Sequence, residues 1–134
     1  MIANHQKTAS KVYMSPDTES KLLNALQEWE LDRYFLNPGC SINSTAREIG
    51  CNSKYLSYVV NKNKGCDFPN YINLLRICYL EDYLRKTEQA RSFKLAYLAA
   101  YCGFSSYGKF AKSIKDHRGL NPTQFIVYFD QKIA

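Results

Sequence analysis

Apolar residues recur at helical spacing in one stretch after another along this chain, each bounded by a recognisable start and stop. Leu22, Leu23, Leu26, Trp29 and Leu31 form the first set. Ser15 and Pro16 before them suit an N-cap and a first helical position, Asp17 and Glu19 suit the positive end of the helix dipole, and Asn37-Pro38-Gly39 ends the run. A short helix over 44–49 then precedes a tight turn at Gly50-Cys51, and Asn52 caps a helix to about residue 61, before Gly65. A longer helix over 68–86 carries Tyr71, Ile72, Leu75, Cys78, Tyr79 and Leu84 on its apolar side. At ~1.5 Å per residue it spans a little under about 30 Å, enough to hold two units apart. After a polar stretch over 87–91 the pattern restarts with a helix over 93–101, a turn at Cys102-Gly103-Phe104, and a helix over 107–117 capped by Ser106. Asn121 and Pro122 open a last helix through Phe125, Ile126 and Phe129. The first dozen residues show no periodicity and read as a loose tail.

The pattern predicts an all-α fold of about seven helices: two helix-turn-helix subdomains joined by a long linking helix. The expected divisions are a tail over 1–14, an N-terminal helix over 15–37, a first helix-turn-helix unit over 38–67, the linking helix over 68–87, and a second unit over 88–131.

An internal repeat supports the two-unit reading. Shifting the chain by 54 residues lays Asn52 on Ser106, Leu56 on Phe110, Val60 on Ile114, Gly65 on Gly119, Tyr71 on Phe125 and Ile72 on Ile126. Before the turn the register slips by one, and Ala46 matches Ala99. At about 100° per residue, burial of Leu56, Val59 and Val60 leaves Lys54, Ser57, Tyr58 and Asn61 on the opposite face of the first repeated helix. Burial of Phe110 and Ile114 leaves Gly108, Ala111, Lys112 and Lys115 on the second, the equivalent face under the shift. A polar helix face is ordinarily just solvated. Two equivalent faces, none of whose four residues is acidic and each following a short helix and tight turn, fit the DNA major groove, where Lys, Ser, Asn and Tyr bond base edges or phosphates.

Charge sharpens this picture. Of the net +6, residues 1–43 contribute −1, residues 44–118 contribute +7 with thirteen Lys/Arg against six Asp/Glu, and residues 119–134 contribute none. The positive potential therefore coincides with the two units, where a polyanion would meet it, although a solvated basic surface has the same composition. The five cysteines form no CxxC pair and stand at no zinc-ligand spacing to His5 or His117, so reduced thiols are expected, with no metal and no cofactor. No apolar run approaches the ~18 residues of a membrane span and no secretion signal opens the chain, which predicts a cytoplasmic protein without membrane contact. No convergent acid/base pair, activated nucleophile or phosphate loop is visible, so an enzyme is not expected.

Several ordered segments resemble the DNA-binding domain of the AraC/XylS family of transcription regulators: Lys54-Tyr55-Leu56-Ser57, Phe68-Pro69-Asn70-Tyr71-Ile72-Asn73 with Leu75-Arg76-Ile77, Cys102-Gly103-Phe104-Ser105-Ser106 with Phe110, and Gly119-Leu120-Asn121-Pro122 with Phe125. The resemblance runs from about Ile42 to Phe129. It implies two recognition helices entering successive major grooves of promoter DNA. By carry-over it puts Lys54, Ser57 and Tyr58 at base-reading positions of the first unit, and Tyr107, Gly108, Ala111 and Lys112 at those of the second. It also implies contact with RNA polymerase, since members often act as activators, and no small-molecule ligand is expected within this chain. The tail and long capped helix resemble the junction in larger sensor-regulators of the family, which favours the C-terminal part of a longer protein over a stand-alone regulator.

The chain departs from the family pattern at informative places. Thr45 stands where a core Leu is usual and Val60 where a Phe is usual, which predicts looser packing in the first unit. Gly108 and Ala111 offer almost no side chain, so the first helix should supply most base discrimination, while Lys112, Lys115 and Tyr107 mainly contact phosphates. Arg76 suits a structural pair with Glu81 or Asp82 as well as it suits DNA contact. The competing reading of the whole is a DNA-binding-like helical module used for protein–protein interaction; RNA recognition would call for aromatics on a sheet or glycine-rich clamps, which the pattern does not offer.

Overall fold

The computed structural model describes residues 14–133, and the expected 1–14 tail lies outside the described residues but for its last position. The described residues form seven α-helices: α1 Pro16–Leu31, α2 Ile42–Ile49, α3 Ser53–Lys64, α4 Phe68–Lys86, α5 Leu95–Tyr101, α6 Tyr107–Arg118 and α7 Pro122–Ile133. Short 3-10 turns at Tyr34–Leu36 and Glu88–Ser92 are the other regular elements, and no strand occurs among the described residues, so the all-α reading holds. Two compact units result. The first takes the chain up to Tyr34 and Cys40–Tyr71, the second Phe35–Gly39 and everything from Ile72 onward.

In the first unit, α1 starts where the sequence suggests: the Ser15 hydroxyl accepts from the Thr18 amide at 3.2 Å, and Pro16 holds the first helical position. Leu22, Leu26 and Trp29 recur on one stripe of α1 and are buried with Ala46, Leu56, Val59 and Val60 of α2 and α3. Leu31, grouped with them from its spacing, is 73% exposed, because nine residues past Leu22 at about 100° each put it on the opposite side. α2 begins two residues before the expected Ser44, since Ser41 and Ser44 form a reciprocal capping box with bonds of 3.0 and 3.1 Å. Thr45 is fully buried, and its hydroxyl lies 3.5 Å from the Cys40 sulfur, which satisfies a polar group set in an apolar core.

The second unit packs Ile77, Leu80 and Leu84 of α4 with Leu98, Phe104, Phe110, Ile114, Phe125 and Phe129. α4 changes its buried side along its length. Phe68, Tyr71 and Ile72 share one face, whereas the buried Arg76, Ile77, Leu80 and Leu84 sit about two-fifths of a turn round the helix. A single apolar stripe for α4 is therefore the wrong description: Cys78, expected on it, is exposed, and Ile77 and Leu80 are core instead. α5 starts at Leu95 rather than Phe93, because the backbone of Phe93 and Lys94 is extended, and Phe93 packs edge-on against Tyr97 at 5.4 Å.

Arg76 explains why Phe35–Gly39 belongs to the second unit. Its Nε donates to the Phe35 carbonyl at 2.8 Å and its Nη2 to the Asn37 carbonyl at 3.0 Å, with the guanidinium 5.4 Å from the Phe104 ring. Glu81 and Asp82, which the sequence offered to Arg76 as an alternative to DNA contact, have other partners. Glu81 takes a two-pronged bond from Arg118 at 2.7 and 2.9 Å, and Asp82 pairs with Lys86 at 3.1 Å. Gly103, in the second unit's turn, approaches the clamped segment so closely that a Cβ would lie 2.9 Å from both the Leu36 Cα and the Leu36 carbonyl oxygen.

Candidate nucleic-acid interface

Local sequence fixes both candidate reading helices at each end. The Asn52 side chain accepts from the Tyr55 amide at 2.8 Å to start α3, and the Ser106 hydroxyl accepts from the Lys109 amide at 3.2 Å to start α6. Both helices are twelve residues long and stop at a glycine with left-handed backbone, Gly65 and Gly119. Leu56, Val59 and Val60 anchor α3, and Phe110 and Ile114 anchor α6, as the periodicity predicts; α6 also buries Ser113.

On the outer face of α3, Lys54 is exposed while Ser57, Tyr58 and Asn61 are partly so. Asn61 donates one amide hydrogen back to the Ser57 carbonyl at 2.9 Å, and Lys62 Nζ lies 5.7 Å from the centre of the Tyr58 ring. On α6, Gly108, Lys112 and Lys115 are exposed and Ala111 partly so, while Tyr107 is 44% exposed with its ring 5.9 Å from Phe110. Beside Gly108 a Cβ would find only the Ser106 hydroxyl, at 4.0 Å. Each set of residues selected from the sequence thus shares one side of its own helix.

The electrostatics of the two faces differ. Among the described residues no carboxylate lies within ion-pair distance of Lys54 or Lys115. Lys112 is paired at 2.9 Å with Asp116, one turn further along α6. The second face is therefore bordered by an acid that a count of its four members leaves out, although the i,i+4 spacing already signals it. On α3 the count also leaves out Lys62, which flanks Tyr58. Its Nζ lies 3.0 Å from Glu19 of α1, and that carboxylate raises the Lys62 pKa while Lys62 and Asn63 hold Glu19 below its ordinary value.

Among the described residues no three of His, Cys, Asp or Glu converge as metal ligands, and no helix is long and apolar enough to cross a membrane. Burial lifts the Cys102 thiol to about 12, which leaves it protonated and unreactive at neutral pH.

The comparisons agree with this geometry. A family model described as a helix-turn-helix domain matches residues 45–126. The chain is 26% identical over 104 residues to a probable transcription factor, PqrA, of Proteus vulgaris, covering 78% of this chain and 82% of that protein. It shares its fold with the C-terminal domain of AraT, a response regulator from Geobacillus stearothermophilus, at a TM-score of 0.67, 19% identity, and coverage of 87% of this chain and 88% of that one. A transcriptional regulator with an AraC-type DNA-binding domain from Chromobacterium violaceum superposes at a TM-score of 0.65, with 20% identity over 87% of this chain and 98% of that one.

Proposed function

The chain belongs to the AraC-type helix-turn-helix family of DNA-binding domains, and from that premise we propose that it is a sequence-specific transcription regulator that sets α3 and α6 into successive major grooves of promoter DNA. The observation that carries the reading is the duplication itself. Two capped helices of equal length, equivalent under a 54-residue shift, each follow a short helix and a tight turn and present a lysine-bearing face. Fold and family are those of DNA-binding regulators rather than of enzymes.

Within this reading the two helices divide the work. Lys54, Ser57, Tyr58 and Asn61 give α3 four side chains able to bond base edges. Gly108 and Ala111 give α6 none, so Lys112, Lys115 and Tyr107 act chiefly on phosphates, and the small residues let the α6 backbone come close to the duplex. The regulator acts in the cytoplasm on double-stranded promoter DNA, and RNA polymerase is its protein partner.

Binding of the chain to mixed-sequence duplex, followed as salt is raised from about 50 to 200 mM, tests the DNA reading. The log of the association constant should fall linearly with the log of salt concentration, by about 0.9 for each phosphate neutralised. Binding that is absent, or indifferent to salt, would favour a helical module for protein contact instead.

A further inference from the structure

The C-terminal end of α3 is held by acids from α1. Lys62 Nζ lies 3.0 Å from Glu19 Oε1, Asn63 Nδ2 donates to Glu19 Oε2 at 3.2 Å, and Lys64 Nζ lies 3.6 Å from Glu30 Oε2. Because Leu22, Leu26 and Trp29 fix α1 in the core of the first unit, Glu19 is delivered to one place. The Glu19 side chain is 15% exposed and that of Lys62 is 52% exposed, so the lysine is the partner with room to turn elsewhere. At about 100° per residue, Lys62 stands some 90° from the middle of the face formed by Lys54, Ser57, Tyr58 and Asn61. Its ammonium, 5.7 Å from the Tyr58 ring, borders that face on the side where a groove-bound helix meets the phosphate rim.

We infer that Lys62 is a further phosphate contact of the first reading helix and that Glu19 competes with DNA for it. The inference rests on α3 being a DNA reader. Both partners are charged at neutral pH, since each favours the other's ionised form, so the competition is between two anions for one cation and no proton moves. With Glu19 in place, Lys62 already has its counterion and adds little to the ions released on binding. With that charge gone, Lys62 should neutralise one more phosphate. In this way α1, a helix outside the turn-helix unit, tempers the affinity of α3.

The test compares the wild-type chain with Glu19→Gln on mixed-sequence duplex DNA, by fluorescence anisotropy from about 50 to 200 mM salt. Gln keeps hydrogen-bonding capacity toward Lys62 and Asn63, and an unchanged helical circular dichroism spectrum with a cooperative melt would verify the fold. The expected result is tighter binding at low salt and a salt slope steeper by about 0.9, an extra affinity loss of about threefold across that range. Lys62→Ala in the Glu19→Gln background should return the slope to the wild-type value. Glu28→Gln, the same charge change at an exposed site on α1, should leave the slope unchanged. Wild-type binding with no change of slope in Glu19→Gln overturns this inference alone, as does a Glu28→Gln variant that reproduces the effect. A wild-type chain that binds no duplex overturns the DNA reading and this inference with it.

Discussion

Replacing Gly103 by Ala should damage the protein far more than replacing Gly50, although the two occupy equivalent turns before the two candidate reading helices. Both backbones are left-handed, with φ of 101° at Gly103 and 82° at Gly50. An alanine at either site therefore carries a conformational cost of about 1–2 kcal/mol. At Gly50 nothing lies within 4 Å of the added Cβ, so the cost stops there. At Gly103 the methyl would lie 2.9 Å from the Leu36 Cα and carbonyl oxygen and 3.0 Å from Arg76 Nε. Leu36 cannot easily retreat, because Arg76 grips the carbonyls on either side of it at 2.8 and 3.0 Å. Overpacking against fixed backbone adds about 1–3 kcal/mol, which gives about 2–5 kcal/mol in all for Gly103→Ala. For a chain of this size 1 kcal/mol moves the melting temperature by about 4 °C, so the two variants should differ by about 4–12 °C. Thermal and urea unfolding followed by circular dichroism would measure this, with the transition of the second unit as the readout should the units unfold separately. The argument also predicts coupling: in an Arg76→Ala background the segment can shift, and Gly103→Ala should cost less than it does alone. Equal destabilisation by Gly103→Ala and Gly50→Ala would refute it.

Other consequences are equally accessible. Gly108→Ala should raise stability by about 0.5–1 kcal/mol, because alanine is the better helix former and its methyl meets no obstacle, which equilibrium unfolding would register. Tyr58→Ala should relax base preference in binding to variant duplexes, whereas Lys112→Ala should weaken all duplexes alike and flatten the salt slope, because the exposed Lys112–Asp116 pair yields to a phosphate more readily than Lys62 and the largely buried Glu19 do; equal loss of preference in both would contradict the division between α3 and α6. Glu19 titrates below its ordinary 4.5 because Lys62 and Asn63 donate to it, so its stabilising effect is complete above that value and fades as pH falls through the lower folded one. The wild type should accordingly melt above Glu19→Gln near neutral pH, with the two curves converging in acid.

What could be read from the sequence was what depends on neighbours along the chain. Ser15, Asn52, Ser106 and Asn121 announce helix starts because a cap and its amide lie three residues apart, and Asn121 indeed accepts from the Gln124 amide at 2.8 Å. The outer faces of α3 and α6 follow from the periodicity of their anchors, and the repeat supplies an independent check. Features that depend on distant backbone were not legible. The acceptors of Arg76 are main-chain carbonyls, which carry no residue signature, so the sequence offered only the carboxylates five and six positions away, or DNA, as partners. The transfer of Phe35–Gly39 to the second unit depends on that same clamp. α4 shows no single stripe because its first turns and its later turns bury different faces, and averaging over them blurs both. The Glu19–Lys62 pair joins residues 43 positions apart, beyond the reach of any spacing rule.

The central claim is that both α3 and α6 read duplex DNA, and selection of binding sequences from a randomised duplex pool, followed by footprinting of the best one, tests it most directly. The account predicts an enriched site with two protected elements about 10 base pairs apart, a sharply specified one lost on Tyr58→Ala and a weakly specified one sensitive to Lys112→Ala. A pool that shows no enrichment, or a site with a single protected element, would contradict it.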